Sequence, residues 1–346
     1  MPSRSYYAMG NRSRKSCQHG ALERDHSLGR ANSLRVMARG LAFSWFQGGL
    51  VTVFALTVAL WHRRELTRLL LAFVEDNELG LLLSTGIACA TAQCVLWLLF
   101  TFALGDGPWR REPGFTAHQV VCFPLMIYLT YVGLSHFHFA APAPFNTPVS
   151  RVFEPHPVGT VMTKIVLGEL LLWDIPTGLL VKSLREPLMV AHHVGMALTA
   201  AIGLYPGLNS YYALFFYGVI ELSGIFLCVV DLFHPKHPAW CAYLESAPAL
   251  RALNDAARLA FVAAYFSVRA ALFPYVVATQ VLPDAYAVLQ LPEAERRGVH
   301  PALICAIPVF GVLFSLLQCY WGTLLYAQVV KVLRGGGGRK DQSKQM

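Results

Sequence analysis

The chain has 346 residues, of which 55% are apolar and 14% charged, with a formal net charge of +8 at pH 7 and a mean hydropathy of +0.47. Ordinary globular domains carry about 25% charged residues, so the composition excludes a water-soluble globule and makes hydrocarbon the solvent for most of the chain. The positive charge gives no ground for nucleic-acid binding, because the basic ends lack interleaved aromatics and a recognisable fold.

Residues 1–40 are polar and Ser- and Arg-rich, with 8 basic against 2 acidic side chains. They have no apolar core and so are not a classical secretory signal; they read as a disordered basic N-terminus. Such a segment can touch anionic headgroups, which attract basic residues at about 1 kcal/mol each. Its composition also overlaps that of organelle transit peptides, and Glu23 and Asp25 count against that targeting.

Residues 41–333 read as one transmembrane domain, an all-α, multi-pass helical bundle. A spanning helix needs roughly 20 apolar residues, and eight stretches approach that length: 41–61, 80–104, 118–139, 160–182, 188–204, 211–233, 256–282 and 301–333. The fifth is short and starts near a charged turn, so the number becomes seven if it stops partway across. Lys and Arg concentrate on the cytoplasmic side of short loops. Here they fall in the N-terminal segment, at Arg110 and Arg111, Lys182 and Arg185, Lys236 and Arg251, and in the tail. Both termini are therefore expected in the cytoplasm.

Between residues 140 and 159 stand Pro142, Pro144, Pro148, Pro155 and Pro157. Proline fixes φ and lacks a backbone donor, which predicts an extended loop on the non-cytoplasmic face. Residues 334–346 form a flexible basic tail. Cys89, Cys94, Cys122, Cys228, Cys305 and Cys319 fall inside predicted spans with no CxxC spacing, and they read as small core residues rather than a disulfide frame.

A charged group at the bilayer centre costs on the order of 3 kcal/mol, so each needs a partner or a task. Lys164, Glu169 and Asp174 lie in the fourth predicted span, Glu221 in the sixth, and Arg258 and Arg269 in the seventh. Lys164 sits near a span end and reads as snorkelling to the headgroups. Arg269 is the natural cation for Glu221, either as a structural link between helices or as part of the chemistry. His192 and His193 differ in kind, because imidazole serves near neutral pH as base, nucleophile or metal ligand. On a helix they point about 100° apart, so one can face a cavity while the other is held by a neighbouring helix.

Further histidines, His136, His138, His234 and His237, raise the question of a metal. No HxxHH cluster exists, because Met189 stands three residues before His192, and no metal is expected. There is no Walker lysine loop and no GxSxG elbow either.

The order of these features resembles the TLC-domain family of multi-pass membrane proteins, which includes ceramide synthases. The resemblance rests on LLLWDIPTGLL with Asp174, REPLMVAHHVGMAL with His192 and His193, FFYGVIELSGIFLCVVDLF with Tyr217 and Glu221, and FVAAYFSVRAALFPYVV with Arg269. The closing LLQCYWGTLLYAQVVKVL, with Tyr320 and Trp321, is also similar to the family's last helix. Ceramide synthases carry an acidic HD…D pattern after the double histidine; here the corresponding stretch reads Tyr217 to Glu221, then Leu222 and Ser223.

That form is similar to family members outside the ceramide synthase core, to which lipid homeostasis or trafficking is attributed. The resemblance implies an endoplasmic reticulum or related endomembrane location and a lipid-sized cavity among at least six helices. Two functions remain open. In one, the bundle binds a membrane lipid or acyl chain and helps set membrane lipid composition, with Asp174, Glu169, Arg269, Tyr217 and Trp321 forming a lipid-binding or structural polar core. In the other, His192, His193 and Glu221 are catalytic in an N-acyltransferase making ceramide-like sphingolipids. Acyl-CoA would then be a substrate, and no cofactor is expected.

Overall fold

The computed structural model describes residues 79–204 and 207–335, all within one compact unit, Leu69–Met346. The basic N-terminus, the first predicted span at 41–61 and the tail beyond residue 335 lie outside the described residues. Among the described residues there is no strand, and seven long helices form the bundle. They are α1 (Gly80–Ala103), α2 (Pro113–His136), α3 (157–180), α4 (Pro187–Leu204), α5 (Ser210–Leu232), α6 (Pro248–Leu289) and α7 (Pro301–Arg334).

Six of these are long and apolar enough to cross a membrane. The exception is α3, which carries Lys164, Glu169 and Asp174 within one helix. The expectation of eight spans is corrected accordingly: six meet the measure, α3 misses it by its charge, and 41–61 is not described. The short fifth span is a continuous helix of 18 residues, α4.

Proline sets where these helices begin. Five of the seven open on it, at Pro113, Pro157, Pro187, Pro248 and Pro301, where the missing N–H is one the helix leaves unpaired anyway. The proline-rich segment after α2 is less extended than its composition predicts. Within it Pro148–Phe153 forms a helix, because the Thr147 and Ser150 side chains exchange capping bonds with each other's backbone N–H. Arg151 on that helix donates to both carboxylate oxygens of Asp284 in α6, at 2.6 and 2.7 Å.

Interior prolines shape the rest. Pro176, Pro274 and Pro283 each follow a widened helical turn, at Leu170–Asp174, Tyr265–Leu272 and Val277–Val281. A proline inside a helix removes one backbone bond and crowds the preceding turn. In a membrane, shifting locally to i→i+5 bonding satisfies the freed carbonyls.

Close approach is made by glycine. A Cβ on Gly168 of α3 would lie 2.0 Å from the carbonyl oxygen of Leu82, and one on Gly86 of α1 would lie 2.3 Å from that of Gly168. These two helices therefore cross backbone on backbone, as small residues allow in lipid.

A candidate functional site inside the bundle

Helices α2 to α7 line a partly open cavity of about 390 Å³, within the range of roughly 300–1,000 Å³ typical of small-molecule sites. All eight residues expected to matter line it: His192, His193, Glu221, Asp174, Glu169, Arg269, Tyr217 and Trp321. They come from four helices, α3 to α6, and from α7 through Trp321. Helix α1 stays outside and packs on α3 and α2.

Asp174 is the hub. Its Oδ1 accepts from His118 Nε2 on α2 at 2.8 Å, and its Oδ2 lies against Nδ1 of His193 on α4. One carboxylate therefore holds two imidazoles from two other helices. The surroundings fix this arrangement. His118 stacks on Trp173 with centroids 5.0 Å apart, and the Trp173 indole N–H donates to Gln93 Oε1 on α1 at 3.3 Å. Gln93 in turn donates to the carbonyl of Gly114 at 2.9 Å. The helix that does not reach the cavity thus still braces its wall.

Arg269 meets Glu221 with Nη2 to Oε2 at 2.8 Å and donates through Nε to Ser223 Oγ at 2.6 Å. The helical link between α5 and α6 therefore exists. Around it, Tyr265 donates to the Gln318 carbonyl at 2.9 Å and ties α6 to α7.

His192 takes a different environment from its neighbour. Its ring meets Phe314 and Trp321 edge to face, with centroids 5.2 and 5.4 Å away, and among the described residues its Nδ1 has no hydrogen-bond partner. With Met196 and Tyr217 it also borders a second, apolar pocket of about 60 Å³ that runs toward Leu208, Val281 and Ile307. Tyr217 is held there by Thr199 Oγ1 at 2.9 Å. His192, Met196 and Thr199, spaced i, i+4 and i+7 along one face of α4, all line that pocket.

Glu169 is 5% exposed and lines the main cavity. Among the described residues it has neither a hydrogen bond nor an ion pair. The remaining charged and histidine groups weighed from sequence lie elsewhere. Arg258 donates to Asn254 and to the Phe233 carbonyl, both at 3.2 Å. His237 stacks on Phe115 and bonds Glu112.

Sequence reasoning missed His118, Ser223 and the cavity-lining thiols Cys122 and Cys228. His118 left one usable signal. It stands near the start of α2, at the same end of the bundle as the close of α3 and the opening of α4. Depth matching along the spans would have set it level with Asp174 and His193.

The family model of the TLC domain matches residues 117–327. The chain belongs to the TLC-domain family, and the matched segment runs from within α2 to within α7, the helices that wall the cavity. Searches among curated proteins and among solved structures found no match.

Proposed function

We propose that this membrane protein takes a lipid or acyl chain into the cavity and acts in membrane lipid homeostasis. The observation that carries this reading is that one hollow of about 390 Å³ gathers His193, Asp174, Glu169, Glu221 and Arg269, and adjoins an apolar pocket at His192. Ionisable groups are costly in hydrocarbon unless they serve a cavity or one another. A chamber polar on one side and apolar on the other suits an amphipathic occupant. The family resemblance supports an endoplasmic reticulum or related endomembrane location, and the Lys and Arg distribution supports cytoplasmic termini.

A second reading, acyl-CoA-dependent N-acyl transfer, draws support from Asp174. A carboxylate against Nδ1 fixes the tautomer and orientation of His193 and leaves Nε2 for proton transfer. The imidazole would take the proton of an attacking amine as the amide bond forms and the thiolate of CoA leaves. General base catalysis of this kind contributes typically 10² to 10⁴-fold.

One experiment separates the two. The protein, purified in mild detergent, is analysed for co-purifying lipid by mass spectrometry, then offered labelled acyl-CoA with a panel of long-chain bases. Stoichiometric lipid without turnover supports the binding reading. An amide product lost in His193→Ala supports the transferase. A preparation with neither lipid nor product overturns both.

A further inference from the structure

The charged groups lining the cavity are satisfied by protein, with one exception. Arg269 is used by Glu221 and Ser223. Asp174 is shared by His118 and His193. Asp231 accepts from Gln119 at 3.2 Å and meets Lys236 at 2.9 Å. Of the acidic side chains lining the cavity, Glu169, at 5% exposure, alone lacks a partner among the described residues.

The backbone puts it there deliberately. In a regular helix, residues 169 and 174 would point about 140° apart, at roughly 100° per residue. The turn between them, Leu170–Asp174, is bonded i→i+5, which brings residues five apart onto nearly one face. Pro176 follows that turn, so the sequence itself imposes the widening that directs Glu169 and Asp174 into the same hollow. A buried carboxyl without a partner is unfavourable. One kept at a cavity wall is relieved when an occupant brings a donor.

We propose that Glu169 is the anchor for the headgroup of the lipid, and that this headgroup presents an N–H or O–H donor, an amine or a hydroxyl, rather than an anion. The proposal rests on the reading of the cavity as a lipid site. Charge argues for it from both sides. Glu169, Asp174 and Glu221 share the cavity walls, and the Arg269 guanidinium is already taken by Glu221. A phosphate or carboxylate headgroup would meet a wall that holds four acidic side chains, Asp231 included, and no spare arginine. An ammonium or hydroxyl would give the Glu169 carboxyl the donor it lacks.

The test uses the full chain in detergent and three single-chain probes of equal chain length: a long-chain base, a monoacylglycerol and a free fatty acid. Binding is read by native mass spectrometry and by the rise in unfolding temperature. The wild type is expected to prefer the amine or the hydroxyl probe over the fatty acid by about tenfold, the scale of one hydrogen bond to a charged group. Glu169→Leu should abolish that preference. Glu169→Gln keeps a carbonyl acceptor but no charge; it should retain a hydroxyl ligand and lose an amine one, which identifies the donor.

Without ligand, Glu169→Leu should unfold at or above the wild-type temperature, because it removes an unpaired carboxyl. A marked fall would assign Glu169 to the fold and overturn the proposal. Equal binding of the fatty acid, or selectivity unchanged in Glu169→Leu, would overturn it while leaving the lipid site intact. Failure of every probe on the wild type would remove the lipid site itself, and this proposal with it.

Discussion

Glu221 and Arg269 face each other at 2.8 Å across α5 and α6, with side chains only 10% and 12% exposed. Removing one member of such a pair strands the other, which costs roughly 3–5 kcal/mol, whereas replacing both with apolar groups is often close to neutral. Glu221→Leu and Arg269→Met should each lower stability strongly, and the double variant should be more stable than either. A double-mutant cycle by denaturant unfolding in detergent measures this coupling; additive losses would show that the two side chains do not depend on each other.

Asp174 is expected to behave as a hub rather than as one end of a pair. Asp174→Asn keeps an oxygen for His118 but removes the charge that holds His193. Asp174→Ala removes both contacts and leaves two half-buried imidazoles to find new partners. The alanine variant should therefore lose more, by about 1–3 kcal/mol for the additional unsatisfied group. Thermal unfolding of the three proteins gives the order, and equal losses would count against a role for the remaining acceptor.

The crossing of α1 and α3 has no room for a methyl group. Gly168→Ala places Cβ 2.0 Å from a backbone oxygen, which side-chain motion cannot relieve, and overpacking of this kind costs typically 1–3 kcal/mol or more. At Gly114 the nearest neighbour of an added Cβ is a Val181 methyl at 3.1 Å. Gly114→Ala asks a side chain, not a backbone, to give by a few tenths of an ångström and should therefore cost less, and the two variants compared by unfolding temperature test backbone contact against general sensitivity to added bulk.

His156 caps α3 with its ring, accepting from the Gly159 N–H at 3.1 Å. Burial, with a smaller contribution from His136, pushes its pKa below the ordinary histidine value of 6.5. The folded state thus favours the neutral ring that the cap requires. Its stabilisation is complete above pH 6.5 and is lost as the pH falls through the lowered value. His156→Asn supplies a cap that does not titrate. Unfolding temperatures at pH 7 and pH 5 should fall less in this variant than in the wild type; an identical fall would place the acid sensitivity elsewhere.

Much of the bundle was legible because hydrocarbon leaves a plain record in sequence. Long apolar runs marked the helices, and the cost of ionisable groups among them singled out Asp174, Glu169, Glu221 and Arg269. What that pattern does not carry is the angle each side chain takes. Regular helical geometry separates Glu169 from Asp174, and only the widened turn before Pro176 joins them. The motif DIPTG held this information in its proline, as RAALFP did for Arg269. His118 was overlooked for another reason: it is a solitary histidine, and its partners come from distant stretches of chain. The charge of α3, which identified its polar residues, also made it the helix whose spanning character is least evident from composition.

His192, Met196 and Tyr217 form a party wall between the two hollows. A rotamer change in any of those three that admits a guest on one side would also reshape the space on the other. Filling of the two would then be linked, and linkage requires that whatever factor the first guest imposes on the second is returned unchanged.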